Sequence, residues 1–142
     1  MTERQTIVGT AEYIAPEAVH GMPVDVRADI YSLGVILCEV LAGSVPFRGT
    51  YAIDTMLKTA SEPLPPLQAL APDLRLPPEL DSLLRRARAK RPEDRYPSVD
   101  AFVERLRYCR TRLATDPHLA SLGSSDDRWS DTHRSGRMRS VA

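Results

Sequence analysis

A mainly α fold follows from three features of this sequence. Apolar residues recur at helical spacing in several separate stretches, prolines and glycines fall where those stretches begin and end, and 42% of the 142 residues are hydrophobic. That length is enough for one domain with a real core.

The elements follow in chain order. Residues 1–14 are mixed and read as a loop or extended segment. Ala15-Pro16-Glu17-Ala18-Val19-His20-Gly21 predicts a short helix, with proline in its first turn and glycine as its stop. A loop from Met22 to Val26 leads into the strongest helical signal. There Ile30, Leu33, Leu37, Val40 and Leu41 are helically spaced, and Val35, Ile36 and Cys38 fill the other faces. A helix apolar nearly all round is a central one. Gly43 ends it, with Pro46 beyond. A third helix is expected over Tyr51 to Ala60, with Ile53, Met56, Leu57 and Ala60 as its inner face. The connection from Glu62 to Pro78 holds six prolines. Each removes a donor and fixes φ, so an ordered, mostly extended connector is expected.

Pro78 opens a fourth helix with Leu80, Leu83, Leu84 and Ala87 in one stripe, and Asp81 can pair with Arg85 one turn on. The basic run Arg85 to Arg91 suits a helix C-terminus. The last helix is capped by Ser98, carries Asp100 in its first turn, and buries Val99, Phe102, Val103, Leu106, Cys109 and Leu113. Arginines 105, 107, 110 and 112 lie mostly off that stripe and read as a solvated face rather than a nucleic-acid surface. From Asp116 the composition turns to Ser, Asp, Arg and Gly, with too little apolar surface to offset ordering, so a disordered tail is expected. Trp129 stands there alone as a candidate docking residue. The expected organisation is a folded unit over 1–113 and a polar tail over 114–142.

Lys+Arg and Asp+Glu both number 19, which removes any whole-chain attraction to nucleic acid or to an acidic membrane. Cys38 and Cys109 lie 71 positions apart and form no metal-binding pair. They read as reduced, buried apolar residues, which suits a cytoplasmic location. Met1 to Arg4 runs straight into polar residues, unlike a signal peptide. The apolar stretch around Ile30 to Leu41 is interrupted and shorter than the ~20 residues a bilayer span needs. His20, His118 and His133 are scattered and read as surface residues.

Four segments carry the functional signal. Val8-Gly9-Thr10-Ala11-Glu12-Tyr13-Ile14-Ala15-Pro16-Glu17 resembles the end of the activation segment of eukaryotic-like Ser/Thr protein kinases, and Asp25 to Gly34 resembles the start of their central F helix. Gly43-Ser44-Val45-Pro46-Phe47 and Arg91-Pro92-Glu93-Asp94-Arg95-Tyr96-Pro97-Ser98 continue the pattern in the family's order. The resemblance covers residues 1 to about 113 and is strongest to the family's bacterial members. It implies a partial protein-kinase-like fold, the large lobe from activation segment to last helix.

Each site residue takes its role from this resemblance. Glu17, the acid of A-P-E, would form a buried ion pair with Arg95 and tie the substrate-docking loop to the base of the lobe. Gly9, Thr10 and Tyr13 would belong to that loop. Thr10 stands where the family selects Ser/Thr over Tyr substrates, though a local turn hydroxyl explains it as well. Thr6 stands where an activating phosphothreonine often lies. Asp29 is the F-helix anchor, an acceptor for the backbone of the catalytic loop; read locally, it is a helix cap.

The sequence holds no G-x-G-x-x-G, no H-R-D and no D-F-G, and its two lysines, Lys58 and Lys90, lie outside a strand context. Phosphoryl transfer depends on those groups to position ATP and Mg²⁺. The intact family uses ATP and Mg, and this chain is expected to bind neither. The expected function is a kinase fragment that supplies docking loop and scaffold; the alternative is a non-catalytic interaction module. The expected partners are a protein substrate or a complementary kinase segment, with self-association a further outcome of an uncovered central helix.

Overall fold

Helix α2, Val26–Ala42, is the axis of the computed structural model, which describes residues 11–116. Its start is fixed by Asp25, whose side chain accepts a hydrogen bond from the Arg27 amide at 2.8 Å. Its end is fixed by Gly43, which adopts φ 74° and donates its amide to the Glu39 carbonyl at 2.8 Å. Around it stand α1 (Pro16–Val19), α3 (Ala52–Ser61), α4 (Leu67–Leu70), α5 (Pro78–Ala87) and α6 (Val99–Thr115). Single 3₁₀ turns occupy Ala11–Tyr13 and Pro92–Asp94. Among the described residues all regular structure is helical, and no helix is long and apolar enough to cross a membrane.

The main core forms where α2, α5 and α6 meet. Ile30 and Cys38 of α2 face Leu80, Leu83, Leu84 and Ala87 of α5 and Phe102 and Cys109 of α6, with Tyr96 closing the cluster edge-on to Phe102 at 5.7 Å. The predicted α5 stripe is buried at all four positions, and each leucine there is worth ~1.5–3 kcal/mol of burial. Asp81 and Arg85 pair at 2.9 Å on the outer face. In α6, Ser98 caps as expected, accepting from the Ala101 amide at 3.1 Å. A second, smaller cluster joins Ala15, Tyr31, Val35 and Val45 on a neighbouring face of α2. Both cysteines are free and buried.

One local expectation is corrected. Helix α3 turns Thr55 and Thr59 inward, not Ile53 and Leu57, which are 59% and 58% exposed; Met56 and Ala60 are half-buried. At Thr55 the cause is a backbone amide that needs an acceptor; the Thr59 hydroxyl is buried with no partner among the described residues. The Thr55 hydroxyl accepts from the Gly49 amide at 2.8 Å, and the Thr59 carbonyl accepts from Lys90. Gly49 lies so near α3 that an added Cβ would meet the Asp54 Cβ at 2.4 Å. A close backbone approach with a donor to satisfy selects a short hydroxyl residue at position 55 over a larger apolar one. The proline-rich connector is interrupted by one helical turn, α4, which places Leu67 in the main core.

The residues from 117 onward, Trp129 included, lie outside the described part. Helix α6 runs to Thr115, two residues past the expected end of the folded unit.

Gly34 explains how α2 and α5 come so close. A Cβ built there meets Arg88 Cγ at 2.8 Å and Ala87 Cβ at 3.0 Å, and both atoms belong to buried residues. Gly34→Ala should therefore cost about 1–3 kcal/mol of stability despite the helix propensity it adds. Urea denaturation of the two proteins measures this, and an unchanged or raised midpoint would show that the helices separate freely.

Candidate functional site

Pro16 opens α1, and Glu17 sits in that first turn, where the helix dipole favours a carboxylate. Some eighty residues later, the 3₁₀ turn Pro92–Asp94 delivers Arg95 in extended backbone. The two side chains meet as a bidentate pair. Arg95 donates from both terminal nitrogens to the two Glu17 carboxylate oxygens, at 2.7 Å each. The remaining donors also find partners: the carbonyls of Arg27 at 2.8 Å, Ala89 at 2.8 Å and Lys90 at 3.1 Å. The guanidinium thus spends all five of its N–H groups and lies 5.0 Å above the Tyr31 ring. Arg95 is 2% exposed and Glu17 5%. One side chain binds α1, the first turn of α2 and the segment after α5.

Tyr13 is fastened beside this anchor. Its hydroxyl donates to the Glu39 carboxylate, and its carbonyl accepts from the Ser32 hydroxyl at 2.6 Å. The hydrogen bond to Glu39, with burial and the carboxylate's charge, holds the phenol above its ordinary range. Both attachments reach α2, so the segment leading into A-P-E is set by α2 and Arg95 together. Gly9, Thr10 and Thr6 lie outside the described residues.

Asp29 is not the cap of α2, because Asp25 performs that task. It lies in the first helical turn and is exposed. Val26, Asp29, Leu33, Ile36 and Val40 follow a three-four-three-four spacing along one side of α2, and every one is exposed, Val40 by 69%. Asp29 is therefore the acid of an otherwise apolar, uncovered stripe.

Several site features escaped sequence reasoning. Arg88 is fully buried beside Gly34, donating to the Leu84 carbonyl at 3.2 Å and to the Cys38 sulfur at 3.5 Å. No carboxylate pairs with it among the described residues, and burial lowers its pKa. A glycine within an apolar helix and an arginine following the buried Ala87 were the available signals. Tyr31 buries a hydroxyl without a partner among the described residues, and desolvation pushes its pKa up to about 12. Lys90 donates to the Thr59 carbonyl and lies 4.3 Å over the Phe47 ring.

The protein kinase domain family matches residues 1–105 of this chain. Serine/threonine-protein kinase pkn3 of Myxococcus xanthus is 36% identical over 128 residues, covering 88% of this chain and 23% of that protein. Probable serine/threonine-protein kinase PknB of Bifidobacterium longum is 40% identical over 102 residues, 72% of this chain and 14% of that protein. The solved twitchin kinase region from C. elegans superposes with a TM-score of 0.60 at 26% identity, over 68% of this chain and 17% of that one. The described helices therefore make a partial kinase-like fold. The chain spans less than a quarter of the length of these relatives.

Arg95→Met should cost about 3–5 kcal/mol, because it strands the buried Glu17 carboxylate and three carbonyls. Arg95→Lys should recover little, since one ammonium cannot replace a planar five-donor fork. Urea unfolding measures both, and a loss below about 1 kcal/mol for Arg95→Met would show that the anchor is dispensable.

Lys90 makes a second expectation. Burial pulls its pKa down to about 8, below the unfolded value of ~10.4. The unfolded chain then holds more protons between those values, so this residue makes stability rise with pH from about 8 to 10. Lys90→Met should abolish that contribution. Denaturation midpoints at both ends of the window should show wild type gaining on the variant; parallel pH profiles would contradict it.

Proposed function

The chain belongs to the protein kinase family, and from that premise we propose that it forms part of the large lobe of a Ser/Thr kinase. It would supply the substrate-docking segment and its scaffold to ATP-dependent phosphorylation of protein Ser/Thr. The observation that carries this reading is the Arg95 anchor. Five hydrogen bonds from one buried guanidinium hold the A-P-E turn against α2 and the base of the lobe. In this reading Gly9, Thr10 and Tyr13 meet the protein substrate, Thr6 is a candidate phosphosite, and Asp29 receives the backbone of a catalytic loop.

The residues present do not fit ATP and Mg²⁺. Lys58 donates to the Arg48 carbonyl and Lys90 to the Thr59 carbonyl, so both ammonium groups are engaged with backbone. The sequence supplies none of the family's phosphate- or Mg²⁺-binding motifs. No step of phosphoryl transfer is assigned to this chain by itself. Its proposed partner is a complementary kinase segment that covers the α2 stripe. A cytoplasmic location accords with the two free, buried thiols.

A second reading, a non-catalytic interaction module, draws on the closed core between α2, α5 and α6, where Cys38, Leu83, Leu84 and Ala87 have no exposed surface. The two readings part on the exposed side of α2. A lobe segment awaiting its complement should self-associate or bind hydrophobic dyes, whereas a module should be a monomer with a sharp, high melting transition. Sedimentation and thermal melts decide between them. Calorimetry with Mg-ATP and a radiolabel transfer assay should register no saturable binding and no phosphate incorporation by the chain alone. Either signal would sink the assignment of its chemistry.

A further inference from the structure

Away from the α1 anchor, a groove of about 470 Å³ runs between the end of α5, the Tyr96 segment and the first half of α6. Arg86, Tyr96, Glu104, Arg105 and Tyr108 line it. The Arg86 guanidinium lies 4.5 Å over the Tyr96 ring, and that of Arg105 lies 4.7 Å over the Tyr108 ring. Neither arginine makes an ion pair among the described residues. Ring stacking occupies the face of a guanidinium and leaves its N–H edges free, with rotamers already restricted. The Tyr96 ring is itself immobile, because it is 6% exposed and packs on Phe102 in the main core. Both arginine charges act on the Tyr96 phenol, so the two cations and this hydroxyl share one locality. That hydroxyl has no hydrogen-bond partner among the described residues.

We propose that this groove binds a phosphorylated segment of a partner protein, with Arg86, Arg105 and the Tyr96 hydroxyl as donors to the phosphoryl oxygens. Three donor groups match the three terminal oxygens of a phosphomonoester, whereas a carboxylate has only two. Arginine clusters are a recurring means of reading phosphorylated peptides. Glu104 sets the selectivity. It leaves the groove one net positive charge, suited to a single phosphoryl group, and would repel the second phosphate of an extended polyanion. The site is built by α5, the Tyr96 segment and α6 without residues of the A-P-E segment, and it does not depend on the kinase reading.

The test uses the full 142-residue chain and an acetyl-Gly-phosphoSer-Gly-amide probe, compared with its unphosphorylated twin. Arginine Nε–Hε NMR signals report binding at the guanidinium groups themselves. The phosphopeptide should bind about tenfold tighter than its twin, and Arg86→Gln or Arg105→Gln should each lose about fivefold with helical content unchanged. Arg105→Lys should recover only part of that loss, and Glu104→Gln should tighten binding about twofold. Equal affinity for the two peptides, or full affinity in both glutamine variants, would overturn the proposal. A tenfold gain on Asp126→Asn with Asp127→Asn would overturn it as well, by assigning the groove to this chain's own acidic segment.

Discussion

Everything around α1 depends on one buried cation being completely satisfied. Removing a guanidinium and a carboxylate from water costs several kcal/mol per ion, and Coulomb attraction returns that only when geometry is good and the spare donors are bonded. Arg95 meets both conditions, with two bonds to Glu17 and three to carbonyls. The carbonyls matter as much as the acid. They belong to Arg27, Ala89 and Lys90, so the arginine senses the start of α2 and the exit from α5. A four-residue helix such as α1 has too few internal hydrogen bonds to hold itself. Its position is therefore set by the anchor through Glu17 more than by its own helical hydrogen bonds.

Arg88 is the contrasting case. It is as buried as Arg95, yet among the described residues it uses only two of its donors, one of them on a sulfur, and pairs with no carboxylate. Its stem fills the space that Gly34 leaves open, so its contribution is packing by an aliphatic chain that carries a poorly compensated charge. The hydroxyls of Tyr31 and Thr59 are likewise buried without a partner among the described residues. The base of α2 is thus tightly filled but electrostatically incomplete, whereas the α1 junction is electrostatically complete.

Much of this was legible in the sequence because it rests on periodicity and punctuation. The α5 stripe Leu80, Leu83, Leu84, Ala87, the Ser98 cap and the Gly43 stop are local rules, and local rules do not need to know the neighbours. The meeting of Glu17 and Arg95 is non-local and was readable only through the family pattern. The α3 face was misjudged because hydrophobicity ranks Ile53 and Leu57 above threonine, while the decisive factor was an amide of Gly49 needing an acceptor. The capping role fell to Asp25 instead of Asp29 because the helix begins at Val26, and boundaries are set by which side chain reaches the free amides. Arg88 was hidden because a basic run after a helix normally reads as solvated.

The exposed side of α2 is where the fold bears on the proposed function. Val26, Leu33, Ile36 and Val40 remain in water although they lie on the central helix, while the opposite side of the same helix is fully buried. Covering four such side chains, already partly shielded, is worth about 3–6 kcal/mol, comparable to the net stability of a small domain. Asp29 adds a chemical requirement to that area. Whatever covers the stripe must be apolar along most of its length and offer hydrogen-bond donors near the N-terminal end, or the carboxylate would be buried unsatisfied. A plain hydrophobic surface fails the second condition and a polar loop fails the first. A backbone loop with free amides, followed by an apolar helix face, meets both. That combination is what the proposed kinase reading assigns to this side of the lobe, so the exposed stripe, more than the anchored A-P-E turn, is where that proposal meets its chemical test.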